Sequence, residues 1–532
     1  MLNLTLLHDY FDASGKRYNH KEALIVGKNR YTYNQLFNIT QQLASAFIHL
    51  GLKRQERVLI YLENSAETIF SFYATLKAGG IFSIINTAVQ VNKLAYILQD
   101  ATPTLVVAQA NKKKQVREAL KIAKHKCAVI WVGNVPKNGK PPCHNEYSWE
   151  AVMQTAKDPE LNMQTAIQKN RCLDIDLAAL VYTSGSTGDP KGVMETHQNI
   201  IAASKSIIQY LKNTPDDIIL NTLPLSFDYG LYQAIMTFMV GGTLVLEKSF
   251  IFLTNILNRI KEEKVTGFPI VPTIVAMVFK TIELGSFDIS SLRYITNTGA
   301  ALPTEHIKRL RKAMPHVQIY SMFGLTECKR ISYLPPEYID KKPNSVGIAM
   351  PNCEVFIVDK DNKEVPRGEV GQLVVRGANV MQGYWNAQEQ TAKTYRSALG
   401  FREKLLFTGD YFKMDEEGFL YFLGRKDDMI KSRGERISAK EVERAINGIE
   451  GVNECAVIGV PDEIFGKAIK AFIACQPGVQ LEAKQVLQHC VTQLESYAIP
   501  KYVDFMEVLP KTAHGKIDKK KLLQVHTQAQ TQ

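Results

Sequence analysis

Residues 182–193, "YTSGSTGDPKGV", follow the apolar run "LAALV" and come before the helix-like segment "HQNIIAASKSIIQYL". Glycines in such a loop let backbone N–H groups converge on an anion, hydroxyl side chains add donors, and Lys191 adds positive charge. Clusters of Gly, Ser and Thr also form ordinary surface turns. The Walker spacing G-x-x-x-x-G-K-[ST] is not met, because Lys191 follows Pro190 and precedes Gly192. The pattern by itself therefore leaves a phosphate site and a surface turn both open, and it disfavours an ordinary P-loop.

The bulk properties limit the class of protein. A chain of 532 residues is too long for one compact core, so two or more domains are expected. The net charge of +11 favours anionic partners, but the basic residues are spread along the chain without a helical stripe or an aromatic ladder. Nucleic acid is therefore not expected, whereas a nucleotide, a coenzyme or an acidic carrier protein fits the charge. The eight cysteines show no paired CxxC spacing, which argues against a metal cluster or a disulfide framework.

Export and membrane insertion are not expected. The N-terminal stretch "MLNLTLLHDYFDASGK" lacks a basic leader and contains acidic residues early, unlike a signal peptide. The longest apolar segment, "LYQAIMTFMVGGTLVL", is shorter than the roughly 20 residues that span a bilayer. These features predict a cytoplasmic enzyme without a transmembrane segment.

Strand-like and helix-like runs alternate as far as about residue 340. "RVLIYLE" and "IFSIIN" are typical of buried strands, while "AETIFSFYATLKAGG" and "VNKLAYILQDA" have helical periodicity. Apolar strands separated by amphipathic helices predict an α/β fold with parallel sheets covered on both faces. From there to Gly424 the runs are shorter and separated by turns, which predicts a small β subdomain. The remainder, with the helix "AKEVERAINGI" and the strands "NECAVIGVPD" and "KAIKAFIACQPG", predicts a compact α+β domain.

Four further segments identify a family. In chain order they are "MFGLTECK", "LFTGDYF", "YFLGRKDDMIKSRGERISAKEVE" and "LPKTAHGKIDKKKL". Together with the loop after Tyr182, this ordered set resembles the adenylate-forming superfamily of acyl-CoA synthetases, peptide-synthetase adenylation domains and luciferases. The resemblance covers residues 30–522. It implies a large AMP-binding N-terminal domain over residues 1–424, a hinge at 425–427, and a small mobile C-terminal domain over 428–532.

The resemblance implies an ATP site built from several segments. The loop 183–188 would hold the β- and γ-phosphates together with Lys191, and "TGAAL" would form a backbone wall beside the adenine. Phe323 stands where the family usually has a tyrosine lying on the adenine, so stacking is kept and the hydroxyl is lost. The implied nucleotide-binding residues are Thr183, Ser184, Gly185, Ser186, Thr187, Gly188, Lys191, Gly299, Ala300, Ala301, Phe323, Gly324, Asp410 and Arg425.

The implied reaction is attack of a carboxylate on the α-phosphorus of ATP. Because this brings an anion to an anion, the barrier is largely electrostatic. By the resemblance, Thr326 would bond the α-phosphate, Glu327 would orient Mg²⁺, and Lys516 would reach the reacting carboxylate. Asp410 would accept hydrogen bonds from both ribose hydroxyls, with Arg425 assisting. The acyl-adenylate and pyrophosphate are the expected products.

The C-terminal domain is implied to act twice. In the family it closes over the acyl-adenylate and then turns about a hinge, which Asp427 matches here. The new face would line a tunnel for a pantetheine thiol with Lys431, Gly434 and Arg436. The cofactors expected from the resemblance are ATP, Mg²⁺ and either coenzyme A or a phosphopantetheinyl carrier protein.

The pocket for the acid is expected to be walled by "LPLSFDYG", "VPTIVAMVF", "NTGAAL" and "YSMFGLT". "SFD" resembles the amino-acid-adenylating branch, in which the aspartate pairs with the substrate α-ammonium. An uncompensated carboxylate in such a pocket is costly, so Asp228 needs a partner. The alternative is that Asp228 points away and bonds backbone in a turn. The predicted pocket residues are Phe227, Asp228, Tyr229, Asn297 and Met322.

Three functions remain open from the sequence. The favoured one is an AMP-forming acyl-CoA ligase that joins a small-molecule carboxylic acid to a thiol. The second is a stand-alone enzyme that loads an amino acid or other small acid onto a separate acidic carrier protein, since no carrier domain follows Lys516. The third is an adenylate-binding protein without turnover, against which Glu327, Asp410 and Lys516 argue together.

Overall fold

The computed structural model describes residues 4–134, 145–155, 163–183, 190–281, 287–299, 302–425, 430–432, 435–462, 466–494, 498–512 and 517–530. The chain forms two compact units. The large unit comprises Met1–Val355 and Val375–Phe407, and the small unit comprises Phe356–Val374 and Thr408–Gln532. No helix within these described ranges is long and apolar enough to cross a bilayer.

The strands are numbered along the chain. They are β1 (Glu22–Val26), β2 (Asn29–Thr32), β3 (Arg57–Tyr61), β4 (Ile81–Ile84), β5 (Leu105–Gln109), β6 (Ala128–Val132), β7 (Glu146–Ser148), β8 (Leu177–Thr183), β9 (Lys191–Thr196), β10 (Ile218–Asn221), β11 (Thr243–Leu246), β12 (Gly267–Ile270), β13 (Tyr294–Asn297), β14 (Gln318–Phe323), β15 (Ser332–Leu334), β16 (Ile348–Ala349), β17 (Cys353–Val358), β18 (Val370–Gly377), β19 (Tyr395–Arg396), β20 (Leu405–Met414), β21 (Leu420–Arg425), β22 (Ile430–Ser432), β23 (Glu435–Ile437), β24 (Val452–Asp462), β25 (Gly466–Cys475) and β26 (Tyr502–Phe505).

The α-helices are numbered in the same way. They are α1 (Leu7–Arg17), α2 (Tyr33–His49), α3 (Ala66–Lys77), α4 (Val91–Ala101), α5 (Lys113–Ala123), α6 (Trp149–Thr155), α7 (Met163–Lys169), α8 (His197–Leu211), α9 (Asp228–Val240), α10 (Leu253–Glu262), α11 (Pro272–Thr281), α12 (Thr304–Ala313), α13 (Gln388–Thr394), α14 (Ala439–Asn447), α15 (Ala483–Gln493) and α16 (Lys519–Gln530).

Two large sheets organise the large unit. One has nine strands in the order β16-β15-β14-β13-β12-β10-β11-β1-β2. Its strands from β14 to β1 pair in parallel, and the antiparallel pairs lie at its two ends. The other has seven strands in the order β7-β6-β5-β3-β4-β8-β9, parallel apart from the β8–β9 pair. The predicted α/β fold with parallel sheets is therefore confirmed.

Helix α3 shows how deeply the apolar helices are buried. All of its residues except Glu67 lie in the interior, and the ring of Tyr73 stacks on Phe11 with centroids 4.2 Å apart. Phe238 of α9 meets both rings edge-on at 5.9 Å. The helix ends in Lys77, whose buried ammonium pairs with Asp12 at 2.7 Å. Burial of this aromatic group stabilises the contacts among α1, α3 and α9.

The small unit has its own core. Strands β24 and β25 pair antiparallel, and β26 adds in parallel to β25. Ser438 is the N-cap of helix α14, and its side chain accepts the Glu441 N–H. Its apolar residues Val442 and Ile446 are fully buried in a cluster with Val457. The predicted α+β domain is thus present, and a five-stranded sheet formed by strands between 353 and 425 is the predicted β subdomain.

Candidate active site

The glycine-rich loop connects two antiparallel strands. Thr183 ends β8 and lies opposite Lys191, the first residue of β9, in the hairpin register. Residues 184–188, with the predicted donors Ser184, Gly185, Ser186, Thr187 and Gly188, lie outside the described residues. The sequence pattern predicted that the loop leads straight into a helix, but β9 separates it from α8. Any anion in the loop would therefore be held by loop groups and Lys191 rather than by the N-terminus of α8.

The predicted pocket segments come together at one edge of the nine-stranded sheet. Strands β10, β12, β13 and β14 run parallel, so their carboxyl ends lie at the same edge. "LPLSFDYG", "VPTIV", "TGAA" and "GLTE" each follow one of these ends. Asn297 lies opposite Ser321 in the register of β13 and β14. In open α/β sheets ligands bind at this edge, so the structure places the predicted segments where a pocket is expected.

Phe227 and Tyr229 contact the end of β13 and the residue segment that follows it. Phe227 is 40% exposed, and its ring comes within 3.8 Å of the position a Cβ would take on Gly299. Gly299 has a φ of +83°, a backbone conformation that residues with a side chain rarely adopt. Tyr229 is buried and donates its hydroxyl hydrogen bond to the Thr296 carbonyl at 2.7 Å. The "SFDYG" segment is thus fixed beside the strand end that carries Asn297, while Ala300 and Ala301 lie outside the described residues.

Asp228 has a partner that the sequence analysis did not name. It is the first residue of α9, and its Oδ2 lies 3.6 Å from the Lys329 Nζ. Both side chains are buried, with 10% and 1% exposure respectively. Neither alternative considered for Asp228, a substrate ammonium or a backbone turn, includes this ion pair. Lys329 is five residues beyond Gly324, and nothing in the local sequence relates it to Asp228.

A second carboxylate faces the same group of side chains. Glu195 of β9 is fully buried and accepts a hydrogen bond from the Tyr232 hydroxyl at 3.4 Å. Burial raises the pKa of Glu195 to about 8, and the nearby Asp228 carboxylate adds to the effect. Burial lowers the pKa of Lys329 to about 8, against the pull of Asp228. The Lys329 ammonium lies 4.1 Å from the Tyr232 ring centroid, so the aromatic face also contacts it.

The turn after β14 positions the predicted reaction residues. Phe323 ends β14, and the chain then folds back so that Ile331 donates its N–H to the Phe323 carbonyl at 3.0 Å. A Cβ at Gly324 would lie 2.3 Å from the Lys329 carbonyl oxygen, so this position requires glycine. Met322 is buried and its sulfur accepts the Tyr210 hydroxyl hydrogen bond. Thr326 and Glu327 lie in this turn, half-buried.

Tyr384 is a candidate functional residue that the sequence analysis missed. Its hydroxyl donates to Glu327 Oε1 at 2.7 Å, and its ring lies 5.5 Å from the Lys191 Nζ. Its backbone forms a bridge with Val193 of β9, and the next residue, Trp385, donates its N–H to the Gly192 carbonyl at 2.8 Å. Tyr384 therefore connects the β8–β9 hairpin with Glu327. The glycine and two aromatics in "MQGYWN" were the available sequence signal.

The small unit contains the predicted ribose residues side by side. Asp410 of β20 is buried and lies opposite Arg425 of β21, with Arg425 Nε 3.5 Å from Asp410 Oδ1. The Arg425 side chain is 61% exposed, so the carboxylate is fixed while the guanidinium reaches solvent. Lys431 and Arg436 pair in the β22–β23 hairpin. Asp427, Gly434 and Lys516 lie outside the described residues.

Glu327 is the residue that would hold a magnesium ion, as a single carboxylate rather than as part of a cluster of protein ligands. Among the described residues, no group of three or more His, Cys, Asp and Glu side chains is arranged to hold a metal. Mg²⁺ usually binds through one or two carboxylates together with substrate phosphates. Glu327 offers one half-buried carboxylate, oriented by Tyr384, next to the turn that carries Thr326. The residues present therefore fit the ion that the family implies.

Comparisons with known proteins decide the family. The model of the AMP-binding enzyme family matches residues 11–385, and that of the AMP-binding enzyme C-terminal domain matches residues 441–516. The chain belongs to the AMP-binding enzyme family. It is 31% identical to the long-chain-fatty-acid–CoA ligase of Bacillus subtilis, over 97% of this chain and 93% of the relative. The indoleacetate–CoA ligase of Aromatoleum aromaticum is 30% identical, over 94% of each chain.

A solved structure gives the same assignment. ATP-bound MatB from Rhodopseudomonas palustris superimposes with a TM-score of 0.85 at 28% identity, over 97% of this chain and 98% of that one. The predicted membership of the adenylate-forming superfamily and the predicted fold are therefore confirmed. The chain is an AMP-forming acid–thiol ligase of the acyl-CoA synthetase type, which uses ATP, a carboxylic acid and coenzyme A.

Proposed function

We propose that this enzyme activates a carboxylic acid that carries no α-ammonium group and transfers the acyl group to coenzyme A. The ion pair of Asp228 with Lys329 is the observation that carries the proposal. Because the Asp228 carboxylate already has a buried cation within 3.6 Å, it needs no ammonium from the substrate. The acids in the names of the two relatives, long-chain fatty acids and indoleacetate, also lack an ammonium group.

In the proposed reaction the acid binds at the carboxyl edge of the nine-stranded sheet. Phe227, Tyr229, Asn297 and Met322 line its pocket, and its carboxylate attacks the α-phosphorus of ATP. The hairpin loop and Lys191 hold the departing pyrophosphate, while Thr326 bonds the α-phosphate. Mg²⁺ on Glu327, when bound, supplies positive charge to the phosphates. This part of the mechanism is electrostatic stabilisation by preorganised groups.

The small unit supplies the second set of roles. Asp410 receives the ribose hydroxyls and Arg425 assists, which suits their adjacent positions on β20 and β21. Lys516 reaches the reacting carboxylate during adenylation. Turning at Asp427 then brings Lys431, Gly434 and Arg436 to the thiol of coenzyme A. Attack of the thiolate on the acyl carbon expels AMP, so the thioester step needs no protein nucleophile.

The testing experiment measures acid-dependent exchange of labelled pyrophosphate into ATP. A panel of fatty, arylacetic and amino acids is tested first, and free coenzyme A is then added with each active acid. We expect exchange with fatty or arylacetic acids, followed by acyl-CoA and AMP. Exchange confined to amino acids would refute the proposed acid class. Product formed only with a phosphopantetheinyl carrier protein would refute coenzyme A as the acceptor and favour the carrier-loading alternative.

A further inference from the structure

The buried Asp228–Lys329 ion pair supports a further inference, which rests on the proposed function. We propose that Lys329 is a resident counter-ion that takes the place of a substrate ammonium on Asp228, and that it thereby excludes amino acids from the pocket. Three independent features of the structure support this role: the position of Asp228, the backbone conformation of Lys329, and the charges around them.

Asp228 is placed like a ligand-binding carboxylate. It lies at the N-terminus of α9, a helix that runs as far as Val240, where the helix dipole favours a negative charge. Its neighbours Phe227 and Tyr229 contact the segment at the end of β13. A carboxylate here would attract any ammonium group on the bound acid, unless another cation already occupied it. Lys329 Nζ, at 3.6 Å, is that cation.

Lys329 is held in a conformation that ordinary residues avoid. Its φ is +65°, in the left-handed region, which costs a residue with a side chain about 1 kcal/mol or more relative to glycine. Glycine would be the unstrained choice for the turn that brings Gly324 against the Lys329 carbonyl. The turn therefore does not require a lysine, whereas the carboxylate of Asp228 does require a cation. A strained residue of this kind indicates a functional constraint.

The charges around Lys329 leave no place for a second ammonium. The lysine contacts Asp228 and the face of Tyr232, with Glu195 beyond them. Burial and Asp228 raise the pKa of Glu195 to about 8, so below that pH this carboxyl is mostly neutral. Arg330 is also buried and lies with its Cζ 5.4 Å from the Tyr229 ring centroid. An amino acid would therefore place its ammonium beside two buried cations with only one charged carboxylate to share.

The experiment replaces the lysine by glycine. Lys329→Gly relieves the backbone strain, leaves Asp228 unpaired and opens a space of the size of the lysine side chain. With an acid accepted by the wild type, we expect pyrophosphate exchange to fall at least tenfold or so, because a buried carboxylate without a partner is costly. Added n-butylammonium, which has the four carbons and the ammonium of the missing side chain, should restore part of that activity. With leucine or phenylalanine, exchange should rise at least about tenfold over the wild type.

Two controls separate the counter-ion role from a packing role. Lys329→Met fills the space without a charge, so it should lose activity but gain neither amino-acid exchange nor rescue by n-butylammonium. The double variant Asp228→Asn/Lys329→Gly removes the carboxylate, so the gain with amino acids should disappear. Calorimetric binding of leucyl-sulfamoyladenosine, a stable mimic of the adenylate, should follow the same order without depending on turnover. Thermal melts show whether each variant is folded.

The wild-type enzyme provides a test that does not depend on any variant. If amino acids support pyrophosphate exchange by the wild type as well as the best other acid does, the counter-ion inference is wrong, although the ligase activity stands. If the wild type is active with fatty or arylacetic acids but folded Lys329→Gly shows neither the gain nor the rescue, the inference alone fails. If the wild type shows no exchange with any acid, the proposed function itself fails.

Discussion

Replacing Tyr384 by phenylalanine tests whether this tyrosine orients Glu327 for the metal-bound triphosphate. The substitution keeps the ring beside Lys191 and removes only the hydroxyl, which donates to Glu327 Oε1 at 2.7 Å. Hydrogen bonds to charged groups contribute about 1.5–3 kcal/mol. Since 1.36 kcal/mol corresponds to a tenfold change, kcat for pyrophosphate exchange should fall by roughly 10- to 150-fold.

The same change should weaken binding of ATP only when magnesium is present. Calorimetry with Mg²⁺ and with excess chelator gives the two affinities, and we expect the loss in the first titration alone. The matched control is Tyr395→Phe, because the Tyr395 hydroxyl donates to the backbone carbonyl of Glu327 at 3.4 Å and leaves its carboxylate untouched. This control should change kcat by about threefold or less. Equal losses in both variants, or equal losses with and without Mg²⁺, would refute the role assigned to Tyr384.

Three other predictions concern separate parts of the chain. Asp410→Ala should raise the KM for ATP by roughly 10- to 100-fold, since the buried carboxylate is proposed to accept hydrogen bonds from both ribose hydroxyls. Arg425→Ala should raise this KM less, because the Arg425 side chain is 61% exposed. The reverse order of KM values would contradict the assignment. The stability of Glu195→Gln relative to the wild type should increase as the pH rises from about 5 to about 8. The native pKa of Glu195 is raised to about 8, so in this range the native wild type keeps a proton that its unfolded state releases, and the wild type loses stability with rising pH. Thermal melts of both proteins across this range measure the difference, and a constant difference would contradict the raised pKa. Asp427→Pro should preserve pyrophosphate exchange and block acyl-CoA formation, because it would freeze the hinge proposed at this position. Loss of both activities would argue against a hinge role.

Local sequence patterns were sufficient for most of the architecture. The helix predicted over "VNKLAYILQDA" is α4, Val91–Ala101, because its apolar residues recur with the helical period and its flanks do not. The first five residues of the predicted strand "RVLIYLE" form β3, Arg57–Tyr61, since a continuous apolar run fits a strand buried on both faces. The loop after Tyr182 was misjudged in one respect, because "KGVMET" pairs with β8 as a strand before the helix begins. Pairing between strands depends on the partner, which the period of one segment does not reveal.

The candidate site also has a part that the sequence predicted and a part that only the structure showed. Motif order along the chain was enough to place the chain in its family and to nominate Glu327, Asp410 and Lys516, because a residue's type and its neighbours are local properties. The partners of these residues are not local. Tyr384 approaches Glu327 across 57 positions of the chain, and Lys329 lies 101 positions from Asp228. Only the folded sheet and the turn at Gly324 bring them together, because side chains so far apart in sequence meet only after the strands have paired. Tertiary structure therefore decided which cation pairs with Asp228, the contact on which the proposed class of acid rests.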